Sequence, residues 1–95
     1  MASVNVFLVP DNQDRAIAVV VFVEDWVLRS DSAQATWRRV FAVTSPFVGL
    51  PLVFASQKSS GDLALFGDQS LVRQLSKVPS EVMVFGAQQY DIPGV

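Results

Sequence analysis

Cysteine and histidine are both missing from the 95-residue chain. Without cysteine there can be no disulfide and no thiolate nucleophile. Without histidine there is no imidazole to act as a base near neutral pH, and the two absences together exclude any Cys/His metal site. Charge is also scarce, at 17% of residues against roughly 25% in an ordinary soluble domain. Seven basic and nine acidic side chains leave a formal net charge of −2 and a pI near 4.7. Arg38-Arg39 is the only adjacent basic pair. The basic face that a phosphate backbone requires is therefore lacking, and nucleic acid is not an expected partner.

Long hydrophobic runs are absent too. The longest, residues 16–23 (AIAVVVFV), is far short of the about 20 residues needed for a membrane-spanning helix. The N-terminus has neither the basic n-region nor the cleavage pattern of a signal peptide. These absences lead to the expectation of a soluble cytoplasmic protein with no membrane partner, metal or cofactor.

Hydrocarbon, by contrast, is abundant: 51% of the residues are apolar. A domain of this size buries roughly 60–65% of the surface of its unfolded chain. A lone copy has difficulty hiding so much apolar area, so the surplus is expected to cover a partner or line a pocket. Closed symmetric dimers are the commonest assembly, which makes a homo-oligomer the first expectation.

The organising stretch is 61–86, GDLALFGDQSLVRQLSKVPSEVMVFG. Leu63, Leu65 and Phe66 suggest a strand, and Gly67-Asp68 ends it with Asp68 placed to cap a helix. Leu71, Val72, Leu75 and Val78 recur at helical spacing. Pro79 stops that helix, and the β-branched and aromatic residues of 81–86 predict a second strand, paired in parallel through a right-handed crossover.

Upstream, residues 3–9 (SVNVFLV) predict a strand covered on both faces, closed by the turn residues Pro10-Asp11-Asn12. Residues 16–23 favour a strand by propensity, while an Asp25/Arg29 i,i+4 pair favours a helix over 13–29. Residues 31–44 predict a helix with Asp31 and Gln34 in a capping box, Ala33, Trp37, Val40 and Phe41 facing inward, and Gln34 and Arg38 facing away. Residues 47–51 (FVGLP) form a hydrophobic connector. The turn 57–61 joins strand 52–55 to strand 63–66 as a hairpin.

The resulting order is an α+β, ferredoxin-like βαββαβ sheet with two helices on one face and an extra N-terminal strand. A three-layer α/β sandwich is the alternative, because the 3–9/16–23 hairpin competes for the edge that the final strand needs. Residues 1–86 are expected to form one domain, and 87–95 a C-terminal arm or disordered tail.

No local signature marks a catalytic group. Glu24-Asp25 is the only adjacent acid pair, and consecutive side chains diverge. Asp62 and Asp68 are too few for a metal site. Gly67-Asp68 lacks the glycines and lysine of a phosphate loop. The candidate binding or interface residues are aromatic: Trp26, Trp37, Phe41, Phe47 and Tyr90. Three functions follow, in this order. The first is a non-enzymatic interaction module that self-associates through its apolar surplus. The second is a binder of a small hydrophobic ligand, held between sheet and helices and walled by Trp26, Trp37, Phe41 and Phe47. The third is an enzyme that moves protons with a carboxylate or Tyr90.

Overall fold

The computed structural model describes residues 2–59 and 61–92. The elements in chain order are β1 (Ala2–Pro10), β2 (Ala16–Phe22), a 3-10 helix (Asp25–Arg29), α1 (Asp31–Ala42), β3 (Leu52–Gln57), β4 (Leu63–Phe66), α2 (Gln69–Leu75), α3 (Ser80–Gly86) and β5 (Gln88–Ile92). The strands form one sheet in the order β4-β3-β2-β1-β5. Only the β2–β3 pair is parallel, and the other three are antiparallel.

The β-branched run Ala16–Phe22 is a strand, and β-branching decides it: Val19, Val20 and Val21 are all fully buried, which a central strand covered on both faces allows. Alternation along the strand sends these valines to opposite sides. Val19 and Val21 join Val4, Val6, Phe41, Phe47, Phe54 and Ile92 under α1. Val20 joins Val53, Ala55, Leu75 and Met83 under α2 and α3. Helices thus cover both faces of the sheet.

This is an α+β arrangement, but the ferredoxin-like order is not confirmed. Residues 81–86, expected as the final strand, lie in α3. Pro79 is the N-cap and Glu81 sits in the first turn, where proline's missing N–H costs nothing and an acid meets the positive end of the helix dipole. These start signals outweigh the strand propensity of Val82, Val84 and Phe85. The strand comes instead from the segment expected as an arm or tail. Gln88–Ile92 pairs with β1 in the register Val4↔Tyr90 and Ala2↔Ile92. Gln88–Ile92 is therefore an edge strand, and the rest of the expected arm, with Pro93 and Gly94, lies outside the described residues.

Three local readings also change. The N-cap of α1 is Ser30, whose side chain accepts from the Ala33 N–H, so there is no Asp31/Gln34 capping box. Gln34 turns inward and donates to the Val27 and Leu28 carbonyls at 3.0 Å each, tying α1 to the 3-10 helix. Arg38 stays exposed as expected, with its guanidinium 5.2 Å from the centroid of the Phe54 ring. The Asp25–Arg29 pair does form, at 3.1 Å, but on the 3-10 helix after β2 rather than on a long helix. Asp68 caps α2 as expected, accepting from the Leu71 N–H at 3.1 Å.

Candidate functional site

Four of the five aromatic candidates meet. Trp37 stacks on Phe41 with centroids 5.9 Å apart, Phe41 lies 4.9 Å from Phe47, and Tyr90 meets Phe47 edge-on at 5.0 Å. Helix α1 supplies the first two, the connector the third and β5 the fourth. The hydrophobic connector is explained by this: Phe47 is buried at its centre. The rings close on one another: Phe41 and Phe47 are buried in the core cluster, and Trp37 and Tyr90 pack against it. Trp26 stands apart, 53% exposed, with its indole N–H donating to Glu24 at 2.7 Å.

The acidic candidates are held separately. Glu24 accepts from Trp26, and Asp25 pairs with Arg29. The Tyr90 hydroxyl donates to Gln88 at 3.3 Å. Among the described residues no group of three or more acids is placed to hold a metal ion. Asp11, in the β1–β2 turn, accepts the Arg15 and Gln13 backbone N–H groups and the Arg15 guanidinium, and these bonds hold its carboxyl below the usual carboxylate value. That is turn chemistry.

Open space lies on the opposite face of the sheet. A groove of about 610 Å³ runs between the end of the β3–β4 hairpin and the start of α3, walled by Asp62, Val78, Pro79, Glu81, Val84 and Phe85. Two smaller depressions, of about 170 and 220 Å³, share Gln57 and Val84, or Asp62 and Val78, with it. None of the three touches Trp26, Trp37, Phe41, Phe47 or Tyr90.

Exposed apolar residues of α3 border that groove. Helix α3 buries only Met83 and turns Val82 (50% exposed), Val84 (42%) and Phe85 (89%) outward. Sequence reasoning missed these residues because it placed them in a strand covered by the fold. The signal that would have found them is Pro79-Ser80-Glu81, a helix start directly before four apolar residues. A helix can turn only part of such a run inward.

No family model, curated protein or solved structure matches the chain. Among the described residues no helix is long and apolar enough to cross a membrane.

Proposed function

We propose that the protein is a small non-enzymatic interaction module that associates with copies of itself through exposed apolar surface. One observation carries the reading: α3 presents Phe85 almost wholly to solvent, beside half-exposed Val82 and Val84. A ring left in water forgoes the roughly 1.5–3 kcal/mol that burying it yields, so covering it drives association. The surplus of apolar residues points the same way, because both faces of the sheet are already covered by helices and hydrocarbon is still left outside.

The hydrophobic-ligand reading ranks lower, since Phe41 and Phe47 are packed in the core rather than around a space. The enzyme reading ranks last, since the Glu24, Asp25, Asp68 and Tyr90 side chains each engage a separate partner. Light scattering and sedimentation over a concentration series test the proposal. Mass rising towards a dimer or higher oligomer is expected, and a strict monomer at high micromolar concentration would remove the reading.

A further inference from the structure

The three hollows on the α3 side of the sheet share walls and so form one trough. It runs from half-buried Leu63 and Leu65 of β4, past the end of the β3–β4 hairpin, to Asn5 of β1 and half-buried Phe22 of β2. Its charge is of one sign. Asp62 from the hairpin and Glu81 from α3 line the central hollow, and none of the chain's seven basic side chains lines any of the three. Lys58 and Lys77 adjoin lining residues in the sequence, but both are exposed and neither lines a hollow. Among the described residues the Glu81 side chain makes no ion pair. The trough is thus apolar towards each end and acidic in the middle, with the exposed Phe85 ring beside the acids.

We infer that the trough takes an extended segment of a partner protein in which one arginine sits between apolar side chains. The guanidinium meets the Asp62 and Glu81 carboxylates in the central hollow, and the flanking apolar groups lie towards Leu65 at one end and Phe22 at the other. Arginine fits better than lysine. Its weakly hydrated, planar cation can pair with a carboxylate and also stack on an aromatic face. A second copy of this chain, at net charge −2, brings no such complement, so the inference does not rest on self-association. Both readings use Phe85, and segment and copy therefore compete for α3.

The test is an NMR titration of the dilute protein with acetyl-Ala-Leu-Arg-Leu-Ala-amide, and with the same peptide carrying citrulline, the neutral isostere, in place of arginine. Amide shifts concentrated on residues 76–85 are expected. The arginine peptide should bind about two- to tenfold more tightly than the citrulline one, as two exposed ion pairs allow, and added salt should shrink that preference. Glu81→Gln should reduce the preference, and Ser76→Lys, which puts a cation in the hollow, should abolish it. Both positions are exposed, and the spectra of the variants verify that the fold is kept. Equal affinity for the two peptides, shifts clustered elsewhere, a preference that survives Ser76→Lys, or no saturable binding at millimolar peptide overturns the inference. Dilution of the protein without peptide reads self-association separately, so either reading can fail alone.

Discussion

Gln34 is buried, and its amide spans two carbonyls of the preceding 3-10 helix. Replacing it with leucine removes both donated bonds from a site water does not reach. Gln34→Leu is expected to cost about 1–3 kcal/mol, read from the urea midpoint at unchanged m-value. Asp11 makes a different kind of prediction. Its carboxylate is stabilised in the folded turn, chiefly by the Arg15 and Gln13 N–H groups, so its pKa lies below the usual carboxylate value. A depressed acid contributes stability above its unfolded pKa and loses that contribution as pH falls through the folded one. Asp11→Ala should therefore lower the melting temperature at neutral pH, and the difference should shrink to nothing in strong acid. A gap that stays constant across that range would show that the carboxylate charge is not what holds the turn. The role of Asp11 as a turn residue is legible from Pro10-Asp11-Asn12. The role of Gln34 is not, because its partners belong to a 3-10 helix that has no sequence signature of its own.

At the scale of elements, two glycines fix how the second helical layer meets the sheet. At Gly86, which ends α3, an added Cβ would fall 2.6 Å from the Phe7 ring of β1. Gly67 follows β4 at φ +155°, where an added Cβ would fall 3.1 Å from the Leu52 carbonyl oxygen of β3. Gly86→Ala forces the Phe7 ring or the helix to move, and is expected to cost about 1–3 kcal/mol. Gly67→Ala meets backbone rather than a movable ring and should be the more damaging of the two in a parallel melt. The helix α2 was readable from Leu71, Val72 and Leu75, and these, with Val78 just beyond its end, pack in the second core cluster. Helix α3 was not readable by the same means. Its apolar residues Val82 to Phe85 are consecutive and show no helical spacing, and propensity for Val82, Val84 and Phe85 favours a strand.

For the whole molecule, β5 closes the sheet over β1. Its Ile92 is buried in the cluster that holds Val4 and Val6. Truncation after Ala87 removes that cover and leaves the pairing edge of β1 open, so cooperative unfolding should be lost and aggregation should follow. The test is whether the truncated chain still gives a single calorimetric transition. The core aromatics act at this scale as well. Phe47→Ala takes out the ring that joins α1 to β5 and is expected to cost about 3–5 kcal/mol, a large share of the stability of a domain this small. Phe85→Ala, at the exposed rim of the groove, should leave the melting temperature of the monomer nearly unchanged.

The sequence alone determined the chemistry that is ruled out and the identity of most strands. Missing cysteine and histidine exclude thiolate and imidazole chemistry wherever the chain folds them, and β-branched runs such as Val19-Val20-Val21 need two covered faces. What the tertiary structure decided is which segment takes the free edge beside β1. Residues 81–86 and 88–92 compete for that place. Local propensity favours the first, but Tyr90 and Ile92 alternate with polar residues and can drop into the α1-side core while Gln89 and Asp91 stay outside. Once the tail holds the edge, the apolar stretch before it must cross the other face as a helix. That crossing leaves Phe85 in the solvent, a consequence of long-range pairing that no local pattern contains.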